Sequence, residues 1–418
     1  MGPLVNHDSF PSLSVAAGIL WDAVVIGAGP AGAVIATHLA RQKRRVLVVE
    51  AKSFPRDKVC GGCISRRALD ELGAAGLGSL ARSLPGQAIA EYEIRWSGRS
   101  FVVARDGGLS LSRARFDNQL IEAAQACGAG ILTRTTARIL PRDTREAGSA
   151  APRSVALEQA GERVAVVNAR LVIAADGLGR RSLRDLADFP MHTATDSWLG
   201  LHAIQPLDGD WPPPGRVVMA AATGGYVGAV RIEPALGETA ERVNIAAAMS
   251  PARLSHAESP AAAIAALFRE SGTPVPDSLT SASWLGTGPL TRRASVLACD
   301  RVVVLGDAAG YVEPFTGEGV ACAIAGANAL AELLPGQGDL WTSDLPQRWM
   351  RAYRHRVERG RWLIQTIRAA AHRPWLAATA FGLAAAFPAI PAFVARRINS
   401  SRSSGSTKPL PHSGACSQ

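Results

Sequence analysis

Cysteine and glycine residues in the segment DKVCGGCISRR, residues 57–67, are the first candidates for chemistry in this chain. Cys60 and Cys63 form a Cys-x-x-Cys pair, a spacing that occurs in thiol–disulfide redox sites and in zinc sites. It also occurs in glycine-rich loops that lie against a ligand. A tetrahedral zinc site needs four ligands, and the eight histidines are scattered away from this pair. The sequence therefore predicts no metal site, and it leaves a disulfide open without any thioredoxin-like context to favour it.

A second glycine pattern lies upstream, in DAVVIGAGPAGAVIATHLARQKRRVLVVE, residues 22–50. An apolar run leads into Gly27-x-Gly29-x-x-Gly32, a helical stretch follows to about Arg41, and a second apolar run ends at Glu50. This order of strand, turn, helix and strand is typical of a dinucleotide site, with pyrophosphate at the helix N-terminus and ribose on the acidic residue. The unit would suit either NAD or FAD.

A third pattern, RVVVLGDAAGYVEPFTGEG, indicates a second contact with a cofactor. An apolar run ends in Gly306-Asp307, where a carboxylate can hold a hydroxylated chain. Pro314, Gly317 and Gly319 follow and let the backbone pass close to a flat ring. The helix after them would direct its N-terminus at the charge that collects on a reduced flavin, near N1 and the C2 carbonyl. A simple NAD dehydrogenase does not need this second contact.

Together these patterns resemble the FAD-dependent oxidoreductases of the p-hydroxybenzoate hydroxylase fold, and most closely the geranylgeranyl reductase-like branch. The resemblance covers roughly residues 21–345 and implies a split Rossmann-type FAD-binding domain with an inserted antiparallel β-sheet substrate domain and a C-terminal helical segment. The family's Asp-Gly motif is matched by Asp176 and Gly177 in LVIAADGLGRRSLR. The segment LSRARFDNQLIEAAQACGA resembles the family's helix beside the cofactor, and Arg113 is the candidate there, the alternative being a solvated arginine at a helix start.

The opening cysteine loop acquires a role from the same resemblance. Geranylgeranyl reductase-like proteins carry a Lys-x-Cys-Gly-Gly loop that passes over the flavin, and Lys58, Cys60, Gly61 and Gly62 match it. Cys60 would then orient substrate or donate a proton. The alternative is a small buried residue that only permits close packing. The resemblance assigns nothing to Cys63.

Composition limits the remaining possibilities. The chain has 418 residues and a net charge of +10, yet no stripe of basic residues interleaved with aromatics, so we expect no nucleic-acid partner. Residues 1–20 lack the basic start and apolar run of a secretory signal, which favours a cytoplasmic protein. No second GxGxxG is present, so NAD(P)H or another electron donor would have to bind transiently.

Period-two alternation predicts a hairpin within 88–104, turning near Gly98, and further strands within 198–250. The expected organisation is an N-terminal tail (1–20), three parts of an FAD-binding domain (21–84, 105–190 and 287–345), a substrate-domain hairpin (85–104), a substrate sheet (191–286), C-terminal helices (346–398) and a disordered tail (399–418). Residues 375–394 are apolar but contain two prolines. They would cap the substrate channel, rest on a membrane surface or pack on the core.

Two enzyme reactions are compatible with these patterns. Reduced flavin could deliver hydride to a C=C bond of a lipophilic isoprenoid or polyketide-like substrate, as the Lys-x-Cys-Gly-Gly loop favours. It could instead support hydroxylation of a hydrophobic or aromatic substrate. Geranylgeranyl reductases often carry a Tyr-x-Trp-x-Phe-Pro motif, and this chain retains its tyrosine, Tyr226, but not its Trp and Phe, which leaves this second reaction open. The Trp-x-Trp-x-Ile-Pro motif of halogenases is absent. A flavin-binding sensor without turnover is the non-enzyme alternative.

Overall fold

The computed structural model describes residues 12–104, 107–142, 150–313, 317–359 and 372–387, together with 365, 366, 368, 369 and 389. Pro314, the end of the apolar C-terminal segment and the predicted tail at 399–418 lie outside these residues. Two large sheets organise the described part, and the helices pack on their outer faces.

The first sheet carries the nucleotide motif and has parallel strands at its centre. Its main order is β19-β20-β11-β1-β2-β8, with β10 and β9 added antiparallel beside β11. Helix α2 packs against α5 and α8. The strands are β1 Leu20–Ile26, β2 Val46–Val49, β8 Gly130–Leu132, β9 Thr136–Ile139, β10 Arg153–Gln159, β11 Glu162–Ala174, β19 Ala298–Cys299 and β20 Val302–Val304.

Helices and short turns pack around the two sheets. The α-helices are α1 Leu13–Ala17, α2 Pro30–Arg41, α3 Arg66–Ala74, α4 Gly78–Ser83, α5 Arg113–Ala126, α6 Pro251–Ser255, α7 Pro260–Ser271, α8 Gly319–Leu333, α9 Leu345–Tyr353 and α10 Pro374–Ala386. A π-helical turn, Arg354–Glu358, follows α9. Among the described residues, no helix combines the length and apolar character needed to cross a bilayer.

The second sheet has seven strands in the order β17-β13-β16-β15-β14-β5-β6. Its strands are β5 Glu91–Trp96, β6 Arg99–Ala104, β13 Leu199–Pro206, β14 Arg216–Ala222, β15 Gly225–Ile232, β16 Arg242–Met249 and β17 Leu285–Pro289. The hairpin β5–β6 turns at Ser97 and Gly98, both with positive φ. One face packs on α7, and the other packs against Cys63, Leu178 and Tyr311 from the cofactor motifs.

Small sheets connect the two large ones: β3 Cys63–Ser65, β4 Gln87–Ala88 and β7 Gly108–Ser110 form one, and β12 Met191–Thr193, β18 Arg292–Ala294 and β21 Gly310–Tyr311 form the other. This mixed α/β arrangement is the predicted fold class.

Two details differ from expectation. The second sheet is not wholly antiparallel, because β14 pairs with β5 in parallel; the hairpin comes from a distant part of the chain, so no tight turn sets its direction. Residues 12–20 are not a tail. Ala16 is fully buried, and the Trp21 indole donates to its carbonyl, which holds α1 on the core.

Candidate functional site

The glycine turn between β1 and α2 is shaped by two steric requirements. Gly27 has φ +99°, and a Cβ there would lie 2.4 Å from the Ala175 carbonyl oxygen. A Cβ on Gly32 would lie 1.9 Å from the Gly27 oxygen. Gly29 is the N-cap of α2, with Pro30 as the first helical residue. The turn is therefore tightly closed, and the first N–H groups of α2 remain available to an anion.

Glu50 follows β2 and binds back onto this turn. Its Oε2 accepts the Ala28 N–H at 3.0 Å, its Oε1 accepts the Lys52 N–H at 3.1 Å, and the Arg56 guanidinium lies 3.3 Å away. The carboxylate is therefore fixed at the carboxyl end of the central strands, where open α/β sheets bind ligands.

Two arginines flank Gly29 and share one buried carboxylate. Arg113, the first residue of α5, donates to both oxygens of Asp117 at 2.8 and 2.7 Å, and Arg56 lies 3.2 Å from the same group. Both guanidinium groups are 3.9 Å from the position of a Cβ on Gly29. Burial acts to lower the pKa of Arg113, but Asp117 outweighs it and the pKa is raised. Arg113 is thus a buried permanent cation, and not a solvated one.

Three predicted cofactor segments meet at Lys58. Its Nζ lies 3.3 Å from Asp307 Oδ2 and 3.3 Å from the position of a Cβ on Gly177. The Lys-x-Cys-Gly-Gly loop, the Asp-Gly motif and the Gly-Asp motif are therefore neighbours, although they lie far apart in the sequence. Gly306 has φ +66°, and a Cβ there would be 3.0 Å from Ala31 on α2.

Asp176 lies just after the end of β11, which ends at Ala174. Its Oδ2 accepts the Ser182 N–H at 2.8 Å, whereas Oδ1 is buried and has no hydrogen-bond partner in the described part of the chain. Burial raises the pKa of this carboxyl, and the bonds from Ser182 oppose the rise only partly. A buried acceptor of this kind favours a ligand that carries a hydroxyl group.

The start of α8 completes the set. Gly317 has φ +68°, and a Cβ on Gly319 would lie 3.3 Å from the Tyr311 ring. The N-cap residue Glu318 makes no side-chain cap bond and instead pairs with Arg67 at 3.2 Å. Within the described part of the chain, the first N–H groups of α8 therefore have no side-chain cap, as a site for a polar ring edge requires.

The Cys60 loop is held by the second sheet. Asn244 Nδ2 donates to the Cys60 carbonyl at 3.0 Å, and a Cβ on Gly62, where φ is +70°, would lie 3.0 Å from the same side chain. Cys60 is half-buried and Cys63 is buried in β3; neither forms a disulfide, and the Cys63 thiol donates to the Gly61 carbonyl at 3.4 Å. The Cys-x-x-Cys pair is therefore not a disulfide, and its two members lie in different environments.

Several site residues were not found by sequence reasoning. Asp117 is the i+4 partner of Arg113, a helical spacing that could have identified it. Tyr311 lies four residues after Asp307 of the Gly-Asp motif, and burial raises the pKa of its hydroxyl well above 10.0. His202 and Asn244 come from separate strands of the second sheet. No local pattern links them to the cofactor motifs.

A buried carboxylate connects this region to the C-terminal segment. Glu313 is contacted by Arg368 Nε at 3.1 Å and by His372 Nε2 at 2.9 Å. The His372 ring stacks on Trp198 with centroids 4.1 Å apart. The segment before α10 is therefore anchored on Glu313, which directly precedes the PFTGEG sequence.

The arrangement fits FAD. The glycine turn, Arg56 and Arg113 would hold the pyrophosphate, Glu50 a ribose, and Asp307 the hydroxylated chain of the flavin half. Asp176 Oδ1 is an acceptor that such a ligand would satisfy, and the Cβ position of Gly61 has no atom within 4 Å.

Comparison with known proteins agrees with this geometry. The chain is 29% identical over 361 residues to menaquinone reductase of Mycobacterium tuberculosis, which covers 79% of this chain and 81% of that protein. It is 26% identical over 355 residues to conditioned medium factor receptor 1 of Dictyostelium discoideum, covering 78% of this chain. The match spans 65% of that receptor, just under two thirds of its length.

Among solved structures, a geranylgeranyl bacteriochlorophyll reductase-like protein of Thermoplasma acidophilum superimposes with a TM-score of 0.64 at 19% identity, over 84% of this chain and 88% of that one. This likeness shows the fold. Residues 21–342 match the FAD binding domain family. The chain therefore belongs to the FAD binding domain family, and it is a flavin-dependent oxidoreductase.

Proposed function

We propose that this protein reduces a C=C bond of a lipophilic, isoprenoid or polyketide-like substrate. The observation that supports this proposal is one row of residues on the face of the second sheet that packs against the cofactor motifs. Strand register places its members side by side across six strands: His202, Ala246, Gly228, Met219, Ile94 and Phe101. Adjacent strands are about 4.8 Å apart, so the row is about 24 Å long.

The row is shaped for an elongated apolar molecule. Ala246 and Gly228 in its middle are small and only partly buried, and the Met219 thioether lies over Gly228, 2.9 Å from the position of a Cβ there. Its far end is covered by α10, where Phe381 lies 5.1 Å from Phe101 between ring centroids. A polar group at one end and apolar residues over the remainder match a substrate with a polar head and a long hydrocarbon tail.

The relatives' names point the same way. Besides menaquinone reductase, the chain is 38% identical over 167 residues to digeranylgeranylglycerophospholipid reductase 1 of Methanopyrus kandleri, which covers 38% of this chain and 40% of that protein. Both names describe reductases. We extend that activity to this chain as a proposal.

The chain's own residues would position the substrate and provide a proton. FAD held by these residues would supply hydride chemistry at one carbon of the double bond, with NAD(P)H or another transient donor as the reductant. The other carbon needs a proton, and the Cys60 thiol and the Tyr311 hydroxyl are the candidates. Tyr311 interacts electrostatically with Asp307 and Cys60, and its raised pKa keeps the hydroxyl protonated at neutral pH.

Membrane association through residues 375–394 remains part of this proposal. Three large apolar side chains on or next to α10 are at least half exposed: Trp375, Leu383 and Phe387. A lipid surface would cover them. A substrate tail leaving the row at Phe101 would then emerge beside α10.

The test uses FAD-loaded protein, reduced with dithionite under anaerobic conditions and incubated with geranylgeraniol. We expect product heavier by two hydrogen atoms per reduced bond, detected by mass spectrometry. Cys60→Ser should retain FAD but change the rate or the product pattern. Cys127→Ser, at the opposite end of α5 from Arg113, is the matched control. Unchanged kinetics in Cys60→Ser would return Cys60 to a packing role.

Hydroxylation is the second candidate, favoured by the loss of the Trp and Phe of the reductase motif after Tyr226. Repeating the incubation with NADPH under labelled dioxygen separates the two reactions. A product carrying the oxygen label would contradict C=C reduction. No product under either condition would favour a flavin-binding sensor.

A further inference from the structure

His202 is a buried histidine at the polar end of this row. It lies on β13 and is 2% exposed, on the sheet face that carries Asn244 and the contact with the Cys60 loop. Its neighbour across β16 is Ala246, and Gly228 follows on β15. The imidazole is therefore flanked on β16 by a small side chain and not by a bulky one.

A chain of hydrogen bonds fixes the tautomer of this imidazole. The Cys60 carbonyl can only accept, so the Asn244 amide nitrogen must face it, as the 3.0 Å contact shows. Asn244 Oδ1 then faces His202 Nε2 at 2.9 Å. Because Oδ1 can only accept, the proton sits on Nε2. The neutral ring consequently presents a lone pair at Nδ1.

This lone pair has no donor. His202 Nδ1 is buried and makes no hydrogen bond within the described part of the chain. The ring cannot relieve this by protonation near neutral pH, since burial and the Arg113 charge lower the His202 pKa to about 4. A buried acceptor without a partner costs free energy, and a ligand that brings a donor recovers it.

We propose that His202 Nδ1 accepts a hydrogen bond from a hydroxyl group of the substrate and so selects hydroxylated over etherified or keto forms. This inference rests on the proposed function, because it assigns the polar head of the same apolar substrate to His202. An alcohol or a quinol provides the required donor. An ether or a quinone offers only acceptors, which would face the Nδ1 lone pair.

The experiment compares farnesol with farnesyl methyl ether on FAD-loaded, oxidised protein, where no turnover occurs. Dissociation constants come from the change in flavin absorbance on titration. We expect farnesol to bind about tenfold more tightly than the ether. His202→Phe should bind both with similar affinity, whereas His192→Phe, an exposed histidine on β12, should keep the discrimination. FAD content and the thermal midpoint show whether each variant is folded.

If His202→Phe fails to fold, His202→Gln replaces it, and the wild-type comparison stands by itself. Equal binding of alcohol and ether by the wild-type protein would overturn the role of His202 while leaving the apolar site intact. Discrimination that persists in a folded His202 variant would also overturn it. Binding of neither probe would contradict the proposed lipophilic substrate itself.

Discussion

At the scale of residues, two glycines of one turn should fail for different reasons. A Cβ on Gly32 meets the Gly27 oxygen at 1.9 Å, whereas a Cβ on Gly29 meets only two guanidinium groups at 3.9 Å. Gly32→Ala should therefore lower the thermal midpoint strongly. Gly29→Val should fold but lose FAD, because the side chain fills the space between Arg56 and Arg113. Circular dichroism and bound-flavin absorbance measure both. A Gly29→Val protein that stays yellow would contradict this placement of the pyrophosphate.

Asp307 provides a test of the flavin half. We expect Asp307→Ala to lose FAD, because the carboxylate is the predicted partner of the hydroxylated chain and Lys58 would then lack its own partner at 3.3 Å. Asp70→Ala is the matched control, since Asp70 pairs with Arg66 on the exposed side of α3. Equal flavin content in the two variants would exclude Asp307 from the site.

His202 predicts a dependence of stability on pH. Its folded pKa of about 4 lies below the ordinary value of 6.5, so between these values the unfolded chain binds the proton and the folded chain does not. Stability should consequently fall as pH decreases through this window, by an upper bound of about 3 kcal/mol. Urea unfolding at several pH values measures the effect. His202→Phe should flatten the slope, and His192→Phe should leave it unchanged.

At the scale of elements, helix α5 is tied to the second sheet through its N-cap. Ser112 Oγ accepts the Arg115 N–H at 3.2 Å, and the Ser112 N–H donates to the buried Glu233 at 3.1 Å. Ser112 Oγ donates to the same carboxylate. The cap therefore orients Arg113 relative to the second sheet.

Ser112→Ala removes the cap bond and one donor of a buried carboxylate, so we expect a loss of about 1–2 kcal/mol in unfolding free energy together with weaker FAD binding. Ser259→Ala removes only the cap bond of α7, an exposed contact with the Ala262 N–H at 3.1 Å. It should cost less and leave FAD binding unchanged. Equal losses would show that the Glu233 contact contributes nothing.

Sequence predicted well those elements whose residues act locally. The turn glycines, the strand ends at Glu50 and Asp307 and the Ser97-Gly98 hairpin are each specified by neighbours within a few positions, so their patterns are readable. Asn244 and His202 act through strand register, which depends on pairing across the sheet. The parallel pairing of β14 with β5 was missed for the same reason. The Arg113–Asp117 pair is local, whereas the contact of Arg56 with the same carboxylate joins distant parts of the sequence.

At the scale of the whole molecule, the C-terminal segment is anchored at Glu313. Glu313→Ala should remove one of the two carboxylate partners of Arg368 and His372, the other being Asp196, and make the chain more susceptible to trypsin at Arg368, at least severalfold in rate. Glu270→Ala, which removes only the Arg253 pair at the edge of the second sheet, is the control. Mass spectrometry of the fragments locates the cleavage. Unchanged cleavage would show that other contacts hold the segment.

The strand order of the first sheet also constrains biosynthesis. Strand β1 is paired with β11, and β11 with β20, so the centre of the nucleotide fold needs residues that are translated about 280 positions apart. At about 5–20 residues per second, β1 emerges from the ribosome on the order of 15–60 s before β20. During that interval Ala31 and Lys58 exist without Gly306 and Asp307, their neighbours in the folded protein. The complete set of predicted cofactor contacts therefore forms only after β20 and Asp307 have been translated, and until then the edge of β11 that pairs with β20 is unpaired.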